Sequence, residues 1–277
     1  MDTTDTQGFV YIADGDSYIE EAICSAKTVK RYMPNVPITL YANKTVNKDV
    51  FDNCNVLDDF SGKEGYKIRP HMFPYDKNIY MDVDTILCDD VSELFEVLNT
   101  YDLAVCHSPG RYAVAGAPEC IREYNCGFIC YNKTDDVKRL MHRWQEWHEE
   151  FRGKSFQGSR AGGNQHPFAR SVYESDVNHV VLPREYNVRI PRPGYVNMDV
   201  KIIHGRTDLG LEHIKRKLNE REGPRIYYMG GNIVTDPFRV RSNSKVYSAL
   251  RFYRKGGFKK LSREVIDYVN KELNLLK

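Results

Sequence analysis

The opening of the chain constrains the fold most. Gly8 to Ala13 (GFVYIA) is a short run of β-formers. Asp14-Gly15-Asp16-Ser17 is a turn that leads into a helix. From Tyr18 to Tyr32 the apolar residues Ile19, Ala22, Ile23, Ala26 and Val29 recur at helical spacing, and Met33-Pro34-Asn35 ends the helix. Val36 to Ala42 (VPITLYA) is a second strand. A strand, a helix and a strand in this order pair in parallel through a crossover helix, so an α/β fold with a mixed, mainly parallel sheet and flanking helices is expected.

The rest of the chain continues the pattern. Asn78 to Met81 is a short apolar strand, Val91 to Leu98 a helix and Leu103 to Cys106 a strand. Tyr124 to Tyr131 reads as a strand interrupted at Asn125-Cys126-Gly127. Val137 to Phe151 is an amphipathic helix with Leu140, Met141, Trp144 and Trp147 on its apolar side. Ser155 to Gly163 is a polar loop, and Val200 to Ile203 a late strand. These elements make up a domain over residues 1–235. Residues 236–277 form a basic appendage, helical in periodicity from Leu261 to Leu276, with Arg251, Arg254, Lys255, Lys259, Lys260 and Arg263 close together. The bland reading of that appendage is a solvated helix face; the functional one is weak contact with an anionic surface.

Charge and cysteine content narrow the function classes. Lys and Arg number 40 against 38 Asp and Glu, so global charge calls for no nucleic-acid partner. No apolar run approaches the about 20 residues of a transmembrane segment, and the acidic start, Met1-Asp2-Thr3-Thr4-Asp5, is unlike a signal segment. The seven cysteines are odd in number and sit mostly in apolar stretches, which suits reduced thiols and a cytoplasmic location.

The chemistry concentrates at Asp82-Val83-Asp84, directly after the strand Asn78 to Met81. Carboxylates one residue apart at a strand's C-terminal end can face one cation, and open α/β sheets bind ligands at that end. Charged groups in so apolar a setting need a counter-ion. His204 follows the strand Val200 to Ile203, and its nitrogen with two carboxylates suits Mn²⁺, with Mg²⁺ as the alternative ion. A solvent-facing turn for the acidic pair and a plain core histidine are the competing readings.

Several motifs in one order carry a resemblance. VYIADGDSY lies at 10 to 18, and Lys67-Ile68-Arg69 precedes the strand ending in Asp82-Val83-Asp84. Further along come Tyr124-Asn125-Cys126-Gly127-Phe128, Gly162-Gly163-Asn164-Gln165, Leu182-Pro183-Arg184-Glu185-Tyr186-Asn187 and Ile202-Ile203-His204-Gly205. The set resembles the glycogenin-like retaining glycosyltransferases (family 8, GT-A fold) over about residues 8 to 206. The resemblance implies a GT-A-like nucleotide-diphospho-sugar transferase that moves a sugar, from a UDP-sugar, to a glycan, protein or small-molecule acceptor. It implies a metal held by Asp82, Asp84 and His204. Donor contacts would come from Ala13, Asp14, Tyr18, Lys67, Val83, Gly127 and Arg206, with Tyr18 stacking on the base. Asn125, Gln165 and Asn164 would serve the sugar and the chemistry. This chain departs from the pattern at Asn164, where the family carries Asp, and at Arg206, the nearest cation to where the family has a lysine.

Two other readings compete. Asn164 permits a catalytically degenerate nucleotide-sugar-binding protein. Asp82-x-Asp84-Thr85 superficially resembles the nucleophile motif of haloacid-dehalogenase-like phosphatases, but that motif lies on a first strand, and here a full strand–helix–strand unit precedes it.

Overall fold

The computed structural model describes residues 6–47, 49–57, 74–110, 113–154, 163–207, 210–220 and 223–227. The expected helical appendage over 236–277 lies outside them, as do Lys67 and most of the loop Ser155 to Gly163. The described residues build three sheets and five α-helices.

The expected opening forms as β1 (Gln7–Ala13), α1 (Asp16–Tyr32) and β2 (Ile38–Ala42). β1 pairs in parallel with β2 on one side and with β4 (Lys77–Met81) on the other. β3 (Asn53–Val56) adds to β2 in parallel. Beyond β4 the antiparallel β7 (Tyr124–Asn132) is followed by β6 (Leu103–His107) and β8 (His179–Val181), completing the order β3-β2-β1-β4-β7-β6-β8. The chain turns to opposite sides of β1 to reach β2 and β4. Their C-terminal ends therefore open a crevice where strand order reverses, the usual ligand position in open α/β sheets.

Residues alternate between two cores. Phe9, Tyr11, Ile79, Met81, Phe128 and Cys130 face α1 and α2 (Glu93–Val97), where Ile19, Ala22, Ile23, Ala26 and Val29 of α1 pack against them. Val10, Tyr80, Ile129 and Tyr131 face α3 (Asp135–Glu150) and α4 (Gln165–Glu174). Sheets covered on both faces give near-continuous apolar strands, which is how β2 and β7 read. Burying one large aliphatic side chain contributes about 1.5–3 kcal/mol.

β7 keeps its extended backbone through Asn125, Cys126 and Gly127, but its ladder to β6 shifts register there, with Val105 opposite Ile129 and His107 opposite Tyr124. Tyr124 and Cys126 therefore share a core with Ile129 and Tyr131, whereas Phe128 and Cys130 face the other core, in keeping with the expected interruption. One expectation is corrected. The late strand is β11 (Ile202–His204), displaced toward His204, because its ladder is set by β5 (Thr85–Leu87) and β9 (Val188–Arg189). β10 (Gly194–Val196), just before β11, pairs antiparallel with β12 (Arg225–Tyr227), which follows α5 (Leu211–Asn219). They close a third core around Ile86, Val188, Ile203, Ile214 and Leu218.

Trp144 ties α3 to the start of α4. It is fully buried, its ring centroid lies 4.5 Å from that of Phe168, and its Nε1 donates to the Asn164 carbonyl at 3.0 Å. Trp144→Phe keeps an aromatic ring but loses that bond and leaves a void. Urea unfolding should show a loss of about 1–3 kcal/mol with an unchanged m-value. A loss below about 0.5 kcal/mol would mean that Trp144 does not anchor α4.

Candidate metal centre

Strand register assembles the site. β4 pairs with β7 as far as Met81 and Phe128, and Asp82 N–H then donates to Gly127 O at 2.7 Å. That places Gly127 against Asp82. β11 lies antiparallel to β5 with His204 opposite Thr85, and Gly205 N–H donates to Asp84 O at 2.8 Å. His204 is thereby set beside Asp84 although the two are far apart in sequence.

The result is a cluster of three ligand-type side chains. One ligand atom from each of Asp82, Asp84 and His204 lies within 4.8 Å of the others. His204 Nε2 is 3.3 Å from Asp84 Oδ1 and 3.6 Å from Asp82 Oδ2. That nitrogen is buried and makes no hydrogen bond to protein. A buried imidazole nitrogen set between two carboxylate oxygens without a well-formed hydrogen bond to either is costly unless a cation occupies the space between them. Two carboxylate oxygens and one imidazole nitrogen form a donor set suited to Mn²⁺ or Mg²⁺. The residues therefore fit a divalent cation.

Each ligand is oriented by a neighbour. Tyr80 Oη, buried below the turn, donates to Asp82 Oδ1 at 2.7 Å. Burial pushes the Tyr80 phenol far up, with the Asp82 and Asp84 charges adding to it, so it stays a proton donor. Burial also acts to raise the Asp84 carboxyl, but His204 and Arg206 beside it outweigh burial and the like charge of Asp82, leaving it below the usual carboxylate range. The turn itself rests on hydroxyls: Thr85 Oγ1 donates to Asp82 O at 2.6 Å and lies 3.4 Å from Ser25 Oγ of α1, which meets Tyr11 Oη at 2.9 Å.

Gly127 is required by close approach. A Cβ there would overlap His204 Cε1 and come within 2.6 Å of Asp82 Oδ2. Asn125, two residues earlier and on the same face of β7, accepts from Gly127 N–H at 3.1 Å and from Asn187 Nδ2 at 2.9 Å. Asn187 lies just before β9 and its Oδ1 is 2.9 Å from His204 Nδ1.

The other residues singled out from the sequence sit around this centre. Ala13 ends β1, Asp14 follows it half-buried, and Val83 is buried in the turn between the carboxylates. Tyr18 is 47% exposed on the first turn of α1, with the Arg206 guanidinium 5.5 Å above its ring. Arg206 grips Glu21 through Nε at 2.6 Å and a terminal nitrogen at 2.5 Å, and reaches Asp84 Oδ2 at 3.5 Å. Asn164 precedes α4 and is held by its carbonyl, which accepts from Trp144 Nε1 and from Cys126 Sγ at 3.7 Å. Gln165 starts α4, and its Oε1 is buried without a hydrogen bond to protein. Sequence reasoning gave no role to Tyr80, Asn187 or Glu21. Asn187 ends a motif that was noted, but only the β9–β11 register shows its contact with His204.

No protein-family model and no curated protein sequence matches this chain. Solved structures do match it. The glycosyltransferase GlyE of Streptococcus pneumoniae is 16% identical with a TM-score of 0.52, over 79% of this chain and 58% of that one. The bifunctional glycosyltransferase WbbM is 16% identical with a TM-score of 0.51, over 69% of this chain and 41% of that one. An active-site mutant of LgtC is 14% identical with a TM-score of 0.52, over 72% of this chain and 87% of that one. The chain thus spans less than two thirds of the length of GlyE and WbbM. The likeness establishes the fold, a GT-A-like α/β architecture. No helix among the described residues is long and apolar enough to cross a membrane.

Proposed function

We propose that this chain is a divalent-metal-dependent glycosyltransferase that moves a sugar from a nucleotide-diphosphate sugar, a UDP-sugar, to an acceptor hydroxyl with retention at the anomeric carbon. The observation that carries the proposal is the Asp82–Asp84–His204 cluster, with its orphaned imidazole nitrogen, at the C-terminal end of β4 in a fold shared with glycosyltransferases. Mn²⁺ held there would supply positive charge to the diphosphate as it leaves.

The chain's own residues have separate tasks in this reading. Tyr18 offers an exposed ring to the base, and Ala13, Asp14 and Val83 form the floor and rim beside it. Arg206, between Tyr18 and Asp84, adds a cation on the diphosphate side. Lys67 is assigned to the diphosphate or sugar by the sequence motif alone. Gln165, with its buried unpaired Oε1, and Asn164 beside it serve the sugar and acceptor. Asn164 is an amide and makes a poor nucleophile, so a front-face route is favoured. In it the bond from the anomeric carbon to the diphosphate breaks, the acceptor oxygen bonds to the same face, and its proton passes to the leaving diphosphate.

Calorimetric titration with UDP, GDP and UDP-sugars, each with and without Mn²⁺, tests the reading. One diphosphate should bind at least about tenfold more tightly with Mn²⁺ than without it. Metal-independent binding, or none, for both nucleotides would overturn it. The Asn164 amide favours one second reading, a nucleotide-sugar-binding protein without turnover. Metal-dependent donor binding with no transfer to any acceptor, and no slow release of free sugar, would establish that reading instead.

A further inference from the structure

We infer that Asn125 and Asn187 act as a polarity relay that fixes the tautomer of His204, keeping its proton on Nδ1 and its bare Nε2 aimed at Asp82 and Asp84. The inference deepens the metal-site reading above, and its purpose rests on that reading.

The argument starts from one backbone group. The Gly127 N–H can only donate, so the Asn125 atom 3.1 Å from it is the carbonyl oxygen. That same oxygen lies 2.9 Å from the Asn187 side chain, so the Asn187 atom facing it is the amide nitrogen. The Asn187 oxygen must then face His204, at 2.9 Å from Nδ1. An oxygen there accepts, so Nδ1 carries the hydrogen. In the neutral ring the other nitrogen is left as a lone pair, and Nε2 is the atom 3.3 Å and 3.6 Å from the two carboxylates.

The three side chains are 1–3% exposed, so water does not compete for these positions. Each link has one satisfied orientation: turning either amide over would set two donors or two acceptors face to face in a buried site. The relay spans β7, the residue before β9, and the end of β11, so sheet register transmits a main-chain polarity into the choice of imidazole nitrogen. Ligating histidines are generally oriented by a hydrogen bond at the second ring nitrogen. Here the acceptor is an amide whose own orientation is set one residue further back. Asn125 and Asn187 are therefore positioning residues.

Long-range ¹H–¹⁵N correlation spectra of the ¹⁵N-labelled chain, without added metal and at a pH where the ring is neutral, read the tautomer directly. His204 is identified by the signals lost in His204→Gln. The wild type should show protonated Nδ1 and bare Nε2. Asn125→Leu removes the acceptor of similar size; Asn187 is then free to turn over, and the Nε2–H form should become populated. Mn²⁺ affinity should fall about tenfold or more in the same variant. Asn125→Asp keeps an acceptor for both donors and should keep the Nδ1–H form. A wild-type His204 protonated at Nε2 would overturn the inference, as would a folded Asn125→Leu that keeps the wild-type tautomer. If Asn125→Leu does not fold, the wild-type and Asn125→Asp spectra decide it. Wild-type protein that shows the Nδ1–H tautomer yet binds no Mn²⁺ would refute the metal reading and leave the relay standing.

Discussion

Asp84→Asn should abolish metal-dependent donor binding and lower transfer by on the order of 10³-fold, the several kcal/mol that a Lewis-acidic cation contributes to a departing phosphate. Asp84 is the more enclosed of the two carboxylates, with a side chain 14% exposed against 23% for Asp82. It touches both His204 and Arg206. The substitution preserves shape and removes charge, so the fold should survive. It relieves the repulsion with Asp82 but also removes the charge that His204 and Arg206 attract, and that attraction is the larger effect. The discriminating measurement is thermal. Excess Mn²⁺ should raise the Tm of the wild type by mass action and leave Asp84→Asn unmoved. A variant with the same Mn²⁺-induced shift as the wild type would remove Asp84 from the site.

The same carboxyl sets a sign for pH. Its folded pKa lies below the ordinary value, so it contributes stability above the unfolded carboxylate pKa of about 3.9, and that contribution is lost as pH falls through the lower folded value. Acid unfolding of Asp84→Asn should lack this component.

Much of this site was legible in the sequence because its parts sit on strongly patterned elements. The apolar run of β4 announces a buried strand, and two carboxylates directly after it are conspicuous for their cost. His204 was legible for the same reason, at the end of an apolar run. What the sequence did not show is pairing. β5, β9 and β11 have two or three residues each and exist because they pair with one another, so no local propensity marks their limits. α4 has no counterpart among the elements expected from the sequence; Pro167 sits in its first turn, where a proline leaves no hydrogen bond unmade. Asn187 and Tyr80 touch ligands rather than acting as ligands, and only register brings them into place. Gly127 was read as part of an interruption, which the register shift bears out; what local sequence did not show is that it also marks a close approach.

That close approach yields the second large effect. Gly127→Ala should cost about 1–3 kcal/mol of stability and also eliminate Mn²⁺ binding, a pairing of losses that a remote core defect would not produce. The backbone at Gly127 is extended and lies outside the left-handed region, so conformational strain is not the cause. In β conformation alanine in place of glycine would, by itself, be favourable by about 0.5–1 kcal/mol. The penalty comes from position. The added methyl points into the face shared by Asn125 and the cluster, overlaps His204 Cε1, and lies 2.6 Å from Asp82 Oδ2 and 2.7 Å from His204 Nε2. β7 is held on either side of this point: Phe128 pairs with Met81 and Gly127 O accepts from Asp82 N–H, while Ile129 and Tyr124 pair with Val105 and His107 of β6. His204 must therefore move, and it can do so only by leaving Asn187, which strands two buried polar groups. Urea unfolding and Mn²⁺ calorimetry on the one variant check both halves. Wild-type metal affinity in Gly127→Ala would show that His204 has room the packing denies it, and would remove the imidazole from the ligand set.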